Sequence, residues 1–558
     1  MARSVRSLLP VLLAGFLVLL GSAWLRGALA SGVGAQDDEP AHFVTAIMVR
    51  DWLLSGAYAD PVGYARTYYA HLPKVAIGQW PPVLYGALGL WMVVFGVGTA
   101  SAVAFVCAVG AALLALVSRA ACGLGLPPWG PVALLIALPL VQRLSGMVMT
   151  ELPLALGCTA AVLAGARLLQ RGDLRSSLAF GLWAVVAILT KGNALALAAV
   201  PALGVLLTGR FELLRRPAFW LPAVLVLGLC APWYLFTTGY QASSWDGGAT
   251  PHWAYTASAT PIYLRGLVAD LGGMGVALLA LAGLLLPTRS AALEPDGAQQ
   301  ELEDTRRAFR AASGAFLVGL LLLLVILPSS PLTRHLCLIA PCWALLAGLG
   351  AEALGRRLGG GPLPWLGLAA VAFLAGPFEV VRKDELGATP LLAPLCAEAP
   401  DARVLVASDA IGEGLVIGGL AALEGGPRPR RFVLRASRFL ITDDWNGRQY
   451  TNHYPTLPAL QARLDDASVA LLALDASMPP ERWFEHHRLL RELVEAEGSG
   501  WTRVAVGDAV RAGVRHAEAL EVWERDGWRS LPAHPIVYEP ERAPEQGPAL
   551  QVRKVAGS

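Results

Sequence analysis

Three carboxylates stand in a row at Asp37, Asp38 and Glu39, directly after an apolar run from about Leu8 to Leu29 that is long enough to cross a bilayer. Carboxylates packed at a membrane surface repel one another, and such a group suits proton abstraction or cation binding; a solvated loop is the plainer alternative. Further along, Glu151, Lys191, Arg334 and His335 each stand at the edge of an apolar stretch, and His42, His71 and His252 lie between such stretches. Taken singly these residues have structural explanations, since Lys191 and Arg334 can reach headgroups and Glu151 can sit at a helix N-terminus. Gathered on one face, charges of both signs would suit an anionic substrate.

Whether they gather depends on the elements that carry them. The 558 residues are 55% hydrophobic and 15% charged, with a mean hydropathy of +0.52, which describes a polytopic α-helical membrane protein. A net charge of +2 gives no footing for nucleic acid. Six of seven cysteines lie in or beside apolar segments and only Cys396 falls in the polar C-terminal part, so no disulfide framework is expected there.

Hydropathy predicts about eleven transmembrane helices, near 8–29, 100–118, 129–147, 152–169, 177–190, 192–209, 218–237, 268–287, 312–329, 336–353 and 363–381. Gly27 to Ala30 resembles a signal-peptidase site, but the apolar run before it exceeds a usual signal sequence, so an uncleaved anchor is expected. With Arg3 and Arg6 holding the N-terminus in the cytoplasm, alternation puts Arg119, Arg167, Arg171, Arg175, Arg210, Arg215, Arg216, Arg289, Arg306, Arg307, Arg310, Arg356 and Arg357 inside. Counting residues 83–97 as a span would invert this pattern, so Pro81 to Gly96 reads as an interfacial helix. The first outer loop then runs over 30–99 and carries two helices, the other being Asp37 to Gly56. On this topology Glu151, Lys191, Arg334 and His335 all face the side of the acidic triplet.

Residues 1–381 therefore form the membrane domain, 382–540 an extracytoplasmic α/β domain, and 541–558 a flexible tail. Strands are expected at Val404 to Ala407, Phe432 to Leu434, Val469 to Leu474 and Trp501 to Val506, with a helix over 480–497. The polar candidates here are Ser408, Asp409, Glu413, Asp443, Asp444, His486 and His487, the two histidines reading as a solvated helix face. Gly412-Glu413-Gly414 carries neither a dinucleotide fingerprint nor a P-loop lysine. This domain is expected to shape the site or recruit the acceptor. The stretch from Thr238 to Gly266 is rich in aromatics, among them Trp245 and Trp253; such rings stack on sugars and also populate membrane interfaces.

The order of motifs resembles the GT-C superfamily of polyprenyl-phosphate-sugar-dependent glycosyltransferases (family 39-like), in the branch of the protein O-mannosyltransferases and the lipid A aminoarabinose transferase. It rests on Asp38-Glu39-Pro40 with its helix, Gln79-Trp80-Pro81-Pro82-Val83-Leu84-Tyr85, Met149-Thr150-Glu151-Leu152-Pro153, Leu189-Thr190-Lys191-Gly192 and Arg334-His335-Leu336, and covers roughly residues 1–380. The resemblance implies transfer of a sugar, with inversion, from an undecaprenyl-type phosphate carrier in the bilayer to a glycolipid or protein acceptor outside. It implies Asp38 as general base with Glu39 and Asp37 as its neighbours. It implies Lys191, Arg334 and His335 on the donor phosphate, and Glu151 as the second acidic position. Trp80, Tyr85, Trp245 and Trp253 are candidates for stacking on substrate. Where relatives have Arg-Tyr this chain has Arg334-His335, and where they carry Lys-Pro-Pro it has Trp80-Pro81-Pro82, with Lys74 upstream. No cofactor is firmly implied; a divalent metal on Asp38, Glu151 and His335 stays open, since all three types are competent ligands. A transporter or flippase would instead show internal repeats and charges near mid-membrane, and in an envelope assembly factor the first outer loop would be dispensable.

Overall fold

The structure, a computed structural model, describes residues 2–241, 250–286, 297–357, 383–443, 450–531, 534–540, 542 and 544–553. Among these, Thr99–Gly123, Glu151–Arg171, Pro217–Thr238 and Gly297–Ile326 are long and apolar enough to span a membrane. A fifth span is reached if Trp253–Ala269 and Gly273–Leu285, bent by 94° at their junction, count as one. The remaining expected spans are shorter or interrupted, and 363–381 lies outside the described residues. The stretch expected at 129–147 is two helices, Trp129–Ala137 and Pro139–Ser145, parted at Leu138, which Pro139 holds extended. The stretch expected at 268–287 is divided by Gly272 and Gly273, whose φ values of 95° and 84° favour glycine. Gly192–Ala198 and Thr333–Leu338 are 3-10 turns leading into Ala199–Thr208 and Ala340–Arg357.

Close helix packing supports this arrangement. Helices Gly273–Leu285 and Ala340–Arg357 approach so closely that a Cβ at Gly283 would collide with the Leu346 carbonyl, and one at Gly350 with the Leu279 carbonyl. Small residues let backbones meet in this way where lipid offers no hydrophobic drive.

The first outer loop carries three helices, one more than expected. Glu39–Ser55 starts with Pro40 in its first turn and stops at Gly56 in the left-handed region. Pro61–His71, absent from the sequence expectation because it lacks an apolar stripe, is N-capped by Asp60, whose carboxylate accepts from Gly63 N at 2.8 Å. Val83–Phe95 follows the Trp80-Pro81-Pro82 turn and is anchored by Val83 N donating to Leu189 O at 3.0 Å.

Ten strands occur among the described residues: β1 (Glu385–Leu386), β2 (Arg403–Ala407), β3 (Val433–Arg435), β4 (Ile441–Thr442), β5 (Thr451–Asn452), β6 (Val469–Asp475), β7 (Trp501–Arg511), β8 (Val514–Arg525), β9 (Ile536–Tyr538) and β10 (Leu550–Val552). Six form one mixed sheet in the order β1-β7-β8-β6-β2-β3, with β2 parallel to β3 and β6 and the other pairs antiparallel. Strands β2 and β6 are buried along their whole length, which explains the apolar runs at 404–407 and 469–474. Strand β8 has no continuous apolar run, because its charges alternate with its apolar residues on a half-exposed hairpin. Within the stretch expected as a flexible tail, 541–558, strand β10 pairs with β9.

The sheet domain is seated on the first outer loop. Helix Ala410–Ala422 lies against helix Glu39–Ser55, Tyr69 stacks on Tyr538 and His71 on Phe432, each at 3.9 Å between ring centroids. Asp384 N donates to Gly34 O at 3.0 Å, and Tyr64 Oη to Pro427 O at 2.6 Å.

Candidate functional site

Four charged side chains, carried by ends and breaks of helices, meet beside the first outer loop. Asp38 precedes helix Glu39–Ser55, Glu151 is the first residue of Glu151–Arg171, Lys191 precedes one 3-10 turn and Arg334 lies in the other. Arg334 Nη2 donates to Asp38 Oδ2 at 2.5 Å and Nη1 to Gln36 Oε1 at 3.3 Å, while its Nε stands 3.5 Å from Glu151 Oε1. Lys191 Nζ donates to Glu151 Oε1 at 2.9 Å, and Thr150 Oγ1 to Glu151 Oε2 at 3.3 Å. Two carboxylates and two cations thus form a nearly buried, charge-balanced group, with Glu151 fully enclosed.

The acidic triplet divides into three environments. Asp38 faces Arg334. Glu39 is fully buried and takes three donors: Lys383 Nζ at 2.8 Å and Val148 N at 2.9 Å on Oε1, and Ala35 N at 2.9 Å on Oε2. Asp37 is exposed and lies within electrostatic reach of Lys74, Asp409 and Arg482.

His42, one helical turn after Asp38, is fully buried; its ring lies 4.5 Å from that of Trp80 and its Nδ1 meets Tyr85 Oη at 2.8 Å. Burial pushes its pKa down to about 4. His335 Nδ1 is 3.4 Å from Tyr263 Oη, and His335 sits beside Lys191, Glu151 and Arg334. Of the stacking candidates, Trp80 and Tyr85 are therefore close to the cluster, Trp253 is 80% exposed at the start of its helix, and Trp245 lies outside the described residues.

The three metal candidates do not fit a metal as they stand. Asp38 and Glu151 are bonded to guanidinium and ammonium groups, and among the described residues no three His, Cys, Asp or Glu side chains converge as ligands.

Lys74, Lys383 and Gln36 were missed as members of the site. A signal for two of them was present: Lys74, Lys191, Lys383 and Lys554 are the only lysines among 44 basic residues, and the first three are buried about this loop. Lys74 Nζ donates to Ala410 O at 2.8 Å, and burial lowers its pKa to about 7.

Within electrostatic reach of Asp37, at the carboxyl ends of β2 and β6, lies a polar network of the sheet domain. Arg511 meets Asp475 at 2.5 Å, Asp384 at 3.1 Å and Asp409 at 3.2 Å; Asp409 also caps helix Ala410–Ala422 and pairs with Arg482 at 2.5 Å. Ser408 Oγ donates to Asp475 Oδ2 at 2.5 Å. Glu413 pairs with Arg435 at 2.8 Å and Asp443 with Arg438 at 2.7 Å; Asp444 lies outside the described residues. The expected solvated face at His486 and His487 is overturned, because both are buried, His487 Nε2 meeting Ser408 O at 3.3 Å. Alternation of Glu and Arg around them concealed an inward-facing pair.

No protein-family model matches the chain, and no curated protein does. Among solved structures, ArnT from Cupriavidus metallidurans bound to undecaprenyl phosphate is similar at 16% identity, over 93% of this chain and 97% of that one, with a TM-score of 0.51. Its apo state gives the same values. An oligosaccharyltransferase from Archaeoglobus fulgidus, tethered to an acceptor peptide with an NVT sequon, matches at 11% identity over 94% of this chain and 76% of that one, with a TM-score of 0.47. The likeness to ArnT is one of fold and, at 93% of this chain, reaches into the C-terminal domain.

Proposed function

We propose that this chain is an integral-membrane inverting glycosyltransferase that moves a sugar from a polyprenyl phosphate to a hydroxyl of a glycolipid or protein outside the cytoplasm. The observation that carries the proposal is the charge-balanced cluster of Asp38, Glu151, Lys191 and Arg334 at the helix breaks, within a fold shared with a protein crystallised on undecaprenyl phosphate. The sheet domain then lies on the outer, periplasmic face, and the arginine-rich loops lie inside.

The chemistry follows from the group. An acceptor hydroxyl attacks the anomeric carbon while the bond from that carbon to the phosphate oxygen breaks, and the lipid phosphate leaves with the electron pair. Asp38 takes the hydroxyl proton, a task worth about 10² to 10⁴ in rate. Arg334 and Lys191 hold the phosphate and stabilise its growing charge, with His335 beside them. Glu151 fixes both cations, being in contact with each. Glu39, saturated by Lys383 and two backbone donors, holds the loop in place, and exposed Asp37 tunes the field about Asp38. The test is transfer from a polyprenyl-phosphate sugar by purified protein: Asp38→Asn should lower kcat about 10²-fold or more. Near-normal transfer by that variant would remove Asp38 as the base.

A further inference from the structure

Two buried polar atoms have no hydrogen-bond partner among the described residues: Arg334 Nε, which has only the Glu151 carboxylate at 3.5 Å, and His42 Nε2, on a ring within electrostatic reach of the charged cluster. A buried polar atom left unpaired is costly, so His42 Nε2 marks a place where a polar atom of another molecule belongs. His42 is held firmly. Its backbone N donates to Asp38 O at 2.9 Å, Trp80 lies against its ring, and its Nδ1 meets Tyr85 Oη at 2.8 Å.

That last contact fixes which proton His42 presents. His42 is the only hydrogen-bond partner of the Tyr85 hydroxyl among the described residues. If Nδ1–H donated to Tyr85, the phenol proton and a bare Nε2 would both be left unsatisfied. If the phenol donates to Nδ1, only one group is orphaned, the Nε2–H. The second arrangement leaves fewer buried groups unpaired, and the imidazole, neutral at physiological pH, then presents an unpaired donor within electrostatic reach of Asp38, Lys191, Glu151 and Arg334.

Resting on the glycosyltransferase reading, we infer that His42 is a donor-binding residue whose Nε2–H donates to an oxygen of the polyprenyl-phosphate sugar seated against Arg334 and Lys191. The acceptor is an oxygen of either the phosphate or the sugar, and the size of the effect tells them apart.

The test uses the full chain in detergent, with unfolding temperature measured for every variant. His42→Asn places an amide near Nδ1 and loses Nε2; His42→Phe keeps the ring and loses both nitrogens; His42→Gln restores a donor near Nε2. The expected result is a raised KM for the sugar donor in Asn and Phe, with recovery in Gln. The rise is about 10- to 100-fold for a bond to the charged phosphate, with weakened binding of sugar-free polyprenyl phosphate. It is about 2- to 10-fold for a sugar oxygen, with binding of the sugar-free carrier unchanged. Wild-type donor KM in both Asn and Phe, or a Gln variant as impaired as Phe, would overturn the inference. Wild-type protein that transfers while Asp38→Asn does not, alongside a normal His42→Phe, refutes the role of His42 alone. Wild-type protein that neither binds nor transfers the donor overturns both.

Discussion

Replacing Glu39 by Gln separates the roles of two adjacent carboxylates. The Glu39 and Lys383 side chains are 0% and 1% exposed and meet at 2.8 Å, and Glu39 also receives the N–H groups of Val148 and Ala35. Gln removes the charge opposite Lys383 and turns an amide donor toward a site built entirely of donors. Breaking a buried pair by removing one partner costs about 3 to 5 kcal/mol, because the surviving charge is left uncompensated. Asp38→Asn should cost less, since its partner Arg334 is 12% exposed and keeps Glu151 within 3.5 Å. Denaturant titration of the detergent-solubilised protein should therefore rank Glu39→Gln well below Asp38→Asn. The double variant Glu39→Gln, Lys383→Met, which leaves no stranded charge, should recover a large part of the loss. An unfolding midpoint for Glu39→Gln equal to that of wild type, or a double variant whose loss is the sum of the single losses, would refute the reasoning.

Lys74 is held at about 7 by burial against its usual 10.5, so between those values the unfolded chain binds more protons and stability rises with pH. Lys74→Met should therefore stabilise the protein most below pH 7, by an amount on the order of a few kcal/mol, and the gain should vanish toward pH 10; a pH-independent difference would contradict this. Gly283→Ala, which puts a methyl group into the Leu346 carbonyl, should destabilise by about 1 to 3 kcal/mol or more in thermal melts, and Gly283→Ser no less. Asp38→Asn, in releasing Arg334 from its carboxylate, should bind sugar-free polyprenyl phosphate more tightly than wild type does, as read by direct titration; weaker binding would show that Arg334 does not serve the phosphate.

Much of the site was legible because of what charge costs in lipid. Glu151, Lys191 and Arg334 stood out as ionisable residues at the edges of apolar runs, and the same cost explains why they meet one another in space. Their pairing was not legible: Asp38 and Arg334 are 296 residues apart, and no local pattern encodes such a contact. Helix breaks were hidden for a different reason. A window of about 20 residues averages over Leu138-Pro139 and Gly272-Gly273, which alter direction without altering hydropathy. The sheet was read where its strands are buried on both faces, at β2 and β6, and lost at β8, where exposure dilutes the apolar signal. Glu39 is adjacent to Asp38 in the sequence, whereas its partner Lys383 is 344 residues away and meets it only in the fold.

The breaks and the charges belong to one argument. Backbone groups released where a helix ends near lipid must be satisfied by protein, so interrupted helices are tolerated only around a polar interior. Here Asp38, Glu151, Lys191 and Arg334 all sit at such interruptions, and their side chains supply that interior with no net charge. On the proposed reading an entering lipid phosphate adds negative charge to a neutral group, and one of the two cations that receive it, Arg334, already holds Asp38. Taking the phosphate requires Arg334 to loosen its grip on that carboxylate, which frees Asp38 to accept a proton. On the proposed reading, donor binding and activation of the base are therefore a single exchange of partners at Arg334, and an acceptor that arrives first meets a base still held.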